Sequence, residues 1–159
     1  MPAASTLDIG QIAPDFELKG PGGQPVSLSE YRGSKNVVLV FYPLAFSPVC
    51  THQLPTLQSD LPEFEKRDAV VLGISVDSHY ANEVFARRLG VEFPLLSDFR
   101  RVASAAYGVL MGEKGFSARA VFVVDKQGRL AYKEVSRDPG DMSQIPSNAR
   151  VLDALQALS

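Results

Sequence analysis

The chain has 159 residues, which fits one domain with a sizeable hydrophobic core. Its composition, with 45% hydrophobic and 21% charged residues, is ordinary for a globular protein in water. The formal net charge of -2 excludes the basic surface typical of nucleic-acid-binding domains. No stretch approaches the roughly 18 apolar residues of a membrane span, and two histidines are too few for a histidine-built metal site.

The chain has the organisation of a single unit. No repeat, low-complexity tract or linker divides it, so residues 1–159 are expected to form one domain. Residues 1–8 have neither a basic start nor an apolar run, and no signal peptide is expected there. The one cysteine cannot form an internal disulfide. These features predict a protein of the reducing cytoplasm.

Three short apolar runs, rich in β-branched residues, predict strands that are covered on both faces. They are residues 37–42, 69–76 and 120–124. Apolar residues at three- and four-residue steps predict a helix over residues 54–64, which Pro55 and Pro62 should kink or interrupt. Further helices are predicted over residues 84–89 with a stop at Gly90, over residues 102–106 and over residues 148–158.

Two hairpins are predicted around glycine-containing turns. The first joins residues 16–18 and 26–28 through Gly-Pro-Gly-Gly, and the second joins residues 120–124 and 130–135 through Asp-Lys-Gln-Gly. Buried parallel strands and hairpin strands together predict an α/β fold, with a mixed central sheet flanked by helices and an N-terminal β-hairpin.

Cys50, the only cysteine, follows a predicted buried strand at the start of a predicted helix. Ser47 is a suitable N-cap and Pro48 suits the first helical position, so Cys50 falls in the first turn. Backbone N–H groups there lack intrahelical partners and the helix dipole is positive, which stabilises a thiolate over a thiol. The same donors are able to hold a polar peroxide next to the sulfur.

The positions of these residues in the sequence, taken alone, also allow other interpretations. Cys50 is about equally compatible with an inert buried cysteine that behaves as a small hydrophobic residue. A Ser/His/Asp triad is disfavoured because the sequence contains no Gly-x-Ser-x-Gly nucleophile elbow. His52 is expected to be an exposed helix residue rather than part of a pocket.

The segment from Pro43 to Cys50 resembles the active-site motif of the peroxiredoxin family, Pro-x-x-x-Thr/Ser-x-x-Cys. The resemblance spans nearly the whole chain. Within that family it is strongest to the one-cysteine, alkyl hydroperoxide reductase E type, on the basis of Pro-Leu-Ala-Phe at residues 43–46 and a short C-terminus. Further matches, in the same order as in the family, are residues 10–16, 95–98, 106–109 and 119–125.

This resemblance implies a thioredoxin-like fold and a set of site residues. Cys50 would be the peroxidatic thiolate, Ser47 would hydrogen-bond the thiolate and the peroxide, and Pro43 would shield the sulfur and shape the pocket. Arg119 would come beside Cys50 from a later strand and stabilise the oxygen that gains charge as the O–O bond breaks. From its position alone, Arg119 is equally compatible with a solvent-facing strand residue. The substrate pocket would also include Phe46, Val49 and Gln53.

Two positions depart from the commoner pattern of the family. Ser47 stands in place of threonine; it keeps the hydroxyl, and little effect is expected. Gln53 stands where many relatives carry a glutamate, three residues after Cys50. Its amide can still hydrogen-bond, but it can neither pair ionically with Arg119 nor take up a proton.

We therefore expect a thiol-dependent peroxidase that reduces hydrogen peroxide and organic hydroperoxides through a sulfenic acid on Cys50. Because the chain has one cysteine, an external low-molecular-weight thiol or a redoxin must resolve that acid. No cofactor, metal, nucleic acid or membrane is expected as a partner, and the resemblance implies a homodimer or an assembly of dimers. The alternatives are a non-enzymatic thiol redox sensor and a thioredoxin-like disulfide reductase, which usually needs Cys-x-x-Cys where this chain has Ser47.

Overall fold

The computed structural model describes residues 7–136, 138 and 140–158. Residues 1–6, on which most of the signal-peptide prediction rests, lie outside the described residues. The strands are β1 (Glu17–Lys19), β2 (Pro25–Ser27), β3 (Asn36–Phe41), β4 (Ala69–Ser75), β5 (Leu95–Ser97), β6 (Leu110–Met111), β7 (Phe116–Ser117), β8 (Arg119–Val124) and β9 (Leu130–Ser136). The α-helices are α1 (Pro48–Ser59), α2 (Leu61–Glu65), α3 (His79–Leu89), α4 (Val102–Ala106) and α5 (Asn148–Gln156).

The central sheet is mixed, as predicted. Within the described residues it has seven strands in the order β2-β1-β5-β4-β3-β8-β9, while β6 and β7 form a small separate ribbon. Strand β4 pairs in parallel with β3 and with β5, whereas β1, β2, β8 and β9 join through antiparallel pairs. Both predicted hairpins are therefore confirmed, with β1 and β2 at one edge of the sheet and β9 at the other.

Helices cover both faces of the sheet, which explains why its central strands are continuously apolar. Along β3, Val38 and Val40 contribute to the core cluster that also contains residues of α1, α2, α3 and α5. The alternate residues Leu39 and Phe41 contribute to the cluster on the opposite face, which contains Ala103 of α4. Among the helices of the described residues, none combines the length and the apolarity needed to cross a bilayer.

The two prolines of the first predicted helix behave differently. Helix α1 continues through Pro55 and ends at Ser59, so Pro55 does not interrupt it. Pro62 lies in the first turn of α2, where its missing N–H would have no intrahelical partner in any case. The single helix predicted over residues 54–64 is thus two helices, and α1 begins at Pro48. The predicted stop at Gly90 is confirmed, since this residue caps α3 in the left-handed conformation with φ of 69°.

The sheet topology brings the beginning of β8 next to the end of β3. These strands are antiparallel, and Phe41, the last residue of β3, pairs with Ala120, the second residue of β8. Arg119 therefore starts β8 at the same edge from which the chain leaves β3 towards α1. Gly73 of β4 keeps this region closely packed, because a Cβ atom there would lie 3.3 Å from the ring of Tyr42 and 2.6 Å from Leu95.

Candidate active site

Cys50 lies in the first turn of α1, at the position predicted from the Ser-Pro sequence before it. Its side chain is completely buried. Ser47 occupies the N-cap position, with an extended backbone (φ -71°, ψ 149°), but its side chain makes no capping hydrogen bond. The Ser47 hydroxyl instead donates to the carbonyl oxygen of Leu44, at 2.9 Å. The expectation of a side-chain cap is therefore corrected, while the position of the helix start is confirmed.

Arg119 is buried, with 1% of its surface exposed, so the solvent-facing alternative is wrong. Its Nη1 donates to Cys50 Sγ at 3.3 Å and to Gln53 Oε1 at 2.6 Å. The guanidinium thus lies directly against the sulfur, as a positively charged hydrogen-bond donor in a water-excluded site. Both hydrogen bonds come from the same nitrogen, Nη1, whose two hydrogens serve the sulfur and the amide oxygen at once.

Gln53 lies one helical turn after Cys50 and is also buried, with 2% of its surface exposed. Its amide oxygen fixes the guanidinium of Arg119 without adding a negative charge next to the sulfur. The structure thus joins three of the predicted residues, Cys50, Gln53 and Arg119, in one hydrogen-bonded cluster.

The other predicted residues lie around this cluster. Pro43, in the segment that connects β3 to α1, and Val49, in the first turn of α1, are both buried. Phe46 is 49% exposed, and its ring contacts that of Phe85 on α3, with centroids 4.9 Å apart. His52 is exposed, as expected. We refer to residues 43–47 below as the active-site loop.

A polar cluster at the end of β4 also reaches the active-site loop, and the sequence reasoning missed it. Asp77 Oδ2 accepts a hydrogen bond from the backbone N–H of Ala45, at 2.7 Å, and another from the hydroxyl of Ser75, at 2.8 Å. We call Ser75, Asp77 and Asn82 the β4-end cluster. Polar residues directly after a buried parallel strand were a signal for it, because functional groups gather at the carboxyl ends of such strands.

The β4-end cluster also holds the residue that precedes the active-site loop. The hydroxyl of Tyr42 donates to Asn82 Oδ1 at 2.6 Å, and Ser75 Oγ lies 3.2 Å from the same oxygen. The amide of Asn82 donates in turn to the carbonyl of Leu96, at 3.3 Å. Burial raises the pKa of Tyr42 far above its usual range, so its hydroxyl remains a donor at physiological pH.

Fold and site together define a class of protein. A cysteine in the first turn of a helix that follows a buried strand, with a buried arginine against its sulfur, is an arrangement typical of reactive cysteines. The thioredoxin-like sheet presents this nucleophile at the ends of its parallel strands. The chain is thus a thiol-dependent redox protein of the thioredoxin-like class.

Comparison with known proteins places the chain within this class. Residues 9–133 match the model of the AhpC/TSA family, and the chain belongs to this family of peroxiredoxins. It is 42% identical over 155 residues to alkyl hydroperoxide reductase E of Mycobacterium tuberculosis, covering 96% of this chain and 99% of that protein. It is 38% identical over 159 residues to peroxiredoxin Bcp of Bacillus subtilis, covering 96% of both.

Solved structures show the same fold. The chain superposes on peroxidoxin BcpB from Mycobacterium tuberculosis with a TM-score of 0.85 and 29% identity, over 96% of this chain and 99% of that one. It superposes on the reduced 2-Cys peroxiredoxin of Plasmodium vivax with a TM-score of 0.83 and 29% identity, over 94% of both chains. The thioredoxin-like fold is confirmed, and the protein is a thiol-dependent peroxidase whose single cysteine fits a one-cysteine mechanism.

Proposed function

We propose that the chain reduces hydrogen peroxide and organic hydroperoxides by direct attack of the Cys50 thiolate. An S–O bond forms to the terminal peroxide oxygen as the O–O bond breaks, which leaves a sulfenic acid on Cys50. The hydroxide or alkoxide released takes up a proton and departs as water or alcohol. The observation that carries this proposal is the 3.3 Å contact between Arg119 Nη1 and Cys50 Sγ in a buried site.

The neighbouring residues take defined parts in this proposal. Arg119 stabilises first the thiolate and then the leaving oxygen, where negative charge develops. Gln53 holds the guanidinium in place through its 2.6 Å hydrogen bond. Ser47, whose hydroxyl lies on the active-site loop, donates to the bound peroxide after a rotation of its side chain away from Leu44. Pro43, Val49 and Phe46 line and shield the pocket around these polar groups.

The oxidised enzyme is proposed to depend on an external thiol. A thiol attacks the sulfenic acid, releases water and forms a mixed disulfide with Cys50, and a second thiol then frees Cys50. The complete burial of Cys50 favours a low-molecular-weight thiol, or a redoxin that acts with one, over direct attack by a bulky protein. Since both partners must be kept reduced, we also propose a cytoplasmic location.

Intact mass spectrometry after one equivalent of peroxide tests this proposal. Without thiol, the protein mass is expected to rise by one oxygen atom, and by two with more peroxide, as the sulfenic acid proceeds to sulfinic acid. With a low-molecular-weight thiol present, the mass of the mixed disulfide is expected instead. Sustained turnover without any added thiol would contradict this account of resolution.

We further propose that two copies of the chain form a dimer through the face beside α3. Four large apolar side chains are strongly exposed, and the ring of the first packs against Phe85 of α3: Phe46 at 49%, Tyr80 at 73%, Phe99 at 62% and Val102 at 61%. The last three line one concave cavity of about 560 Å³. Exposed aromatic groups of this kind are typical of protein interfaces, and Phe46 belongs to the active-site loop itself.

The variant Phe99→Glu is expected to convert this dimer to a monomer, because it would place a charge in an apolar contact. Light scattering across micromolar concentrations measures the change in mass. Met142→Glu is the matched control, since Met142 is 52% exposed but does not line this cavity. A monomeric mass for the unmodified protein over that range would refute the proposed dimer.

A further inference from the structure

The active-site loop contains a strained residue. Phe46 has φ of 67°, a left-handed conformation that costs free energy for a side chain other than glycine. It lies directly before Ser47, the residue from which α1 begins. Such a conformation persists only where the surrounding contacts hold it in place, so the contacts on either side of Phe46 determine how α1 and Cys50 are presented.

One of those contacts comes from a side chain outside the motif. Asp77 accepts the backbone N–H of Ala45, the residue directly before Phe46, at 2.7 Å. A hydrogen bond to a carboxylate is about twice as strong as one between neutral groups. After Phe46, the N–H and the hydroxyl of Ser47 both turn back to the carbonyl of Leu44, at 3.4 and 2.9 Å. The carboxylate thus links this tight turn to the end of β4.

Asp77 is itself firmly placed. The hydroxyl of Ser75 donates to its carboxylate at 2.8 Å, and the hydroxyl of Ser97 on β5 donates to its carbonyl oxygen at 2.7 Å. Ser75 is completely buried, as is Asn82, which accepts the hydroxyl of Tyr42 at the entrance to the active-site loop. The loop is therefore held at its start through Asn82 and at its middle through Asp77.

We propose that Asp77 is a positioning residue for peroxide reduction: its carboxylate holds the backbone of the active-site loop so that Ser47 and the first turn of α1 are aligned for attack by Cys50. This inference rests on the proposed function. A displacement of about 1 Å away from the reacting atoms can cost on the order of 10²-fold in rate. The loss of one backbone anchor in a strained loop produces a displacement of that kind.

Two rate measurements distinguish a loss of alignment in the active site from a general loss of reactivity of the Cys50 thiol. Stopped-flow kinetics measure the second-order rate of Cys50 oxidation by hydrogen peroxide, and iodoacetamide alkylation measures the simple reactivity of the same thiol. Asp77→Ala is expected to slow oxidation by about 10- to 100-fold, while alkylation is unchanged or faster, because alkylation does not need the aligned donors. Asp77→Asn keeps an oxygen acceptor for Ala45 and is expected to slow oxidation only about threefold.

Asp125→Ala is the matched control. Asp125 is a half-buried carboxylate that accepts two backbone N–H groups, from Gln127 and Arg129, in the loop between β8 and β9. It is expected to lower the thermal midpoint without slowing oxidation. If Asp77→Ala matches the wild-type oxidation rate, or if oxidation and alkylation fall together, the inference is overturned.

Further outcomes keep the inference testable and distinguish its failure from failure of the proposed function. If Asp77→Ala does not fold, Asp77→Asn carries the test alone, and a wild-type oxidation rate in that variant overturns the inference. If the wild-type protein reacts with no peroxide, the proposed function fails, and the inference about Asp77 fails with it. If the wild-type protein is oxidised normally and an Asp77 variant is oxidised at the same rate, the inference about Asp77 fails and the proposed function stands.

Discussion

Replacement of Cys50 by serine is expected to abolish peroxide reduction while the fold is retained. A serine hydroxyl is a far weaker nucleophile than a thiolate at neutral pH, and Cys50 is the only thiol of the chain. The two side chains are close in size, and Arg119 keeps its hydrogen bond to Gln53, so the buried site remains filled. Peroxide consumption with a supplied thiol measures the loss, and circular dichroism checks the fold.

His52→Ala is the control for this variant. His52 lies on the same turn of α1 but is exposed, so its removal is expected to leave peroxide consumption at the wild-type level. Residual activity of Cys50→Ser near wild type, once contaminating enzymes are excluded, would rule out Cys50 as the nucleophile.

Arg119→Ala is expected to slow oxidation of Cys50 by on the order of 10²–10³-fold, the usual cost of removing a donor aimed at developing charge. Arg119→Lys should fall between the wild type and Arg119→Ala, because lysine keeps the charge but loses the rigid, planar guanidinium whose Nη1 donates to both Cys50 and Gln53. Stopped-flow oxidation by hydrogen peroxide gives the rates, and thermal unfolding gives the accompanying change in stability.

The matched control for this experiment is Arg150→Ala. Arg150 pairs with Glu134 at 2.8 Å, but its side chain is 61% exposed, and exposed ion pairs contribute at most about 1 kcal/mol to stability. Its loss is expected to leave the oxidation rate unchanged. An unchanged second-order rate constant for Arg119→Ala would show instead that Arg119 has a structural role only.

Much of the fold could be predicted because its signals are local. Residues 37–42 and 69–76 are apolar apart from Ser75, which requires cover on both faces, and they are the central strands β3 and β4 to within one residue. The Gly90 stop follows from the freedom of glycine to adopt positive φ. The separate effects of Pro55 and Pro62 were not predictable in this way, because a proline ends a helix only where neighbouring turns cannot compensate for it.

The sequence by itself determined the one thiol of the chain and its local setting. Cys50 is the one thiol, and Ser47 and Pro48 place it in the first turn of a helix whatever surrounds that helix. The peroxiredoxin motif extended this to a function. Every residue involved lies within eight positions along the chain, so the relevant physics is the local geometry of a helix N-terminus.

Only the tertiary structure decided which distant groups lie against that sulfur and against the loop before it. Arg119 lies 69 residues from Cys50 and reaches it because β8 pairs antiparallel with β3, a choice of neighbour that no local pattern encodes. Asp77 reaches Ala45 because β4 lies parallel beside β3, so that both strands end at the same edge of the sheet. Burial then gives these contacts their strength, since charges and hydrogen bonds interact more strongly where water is excluded.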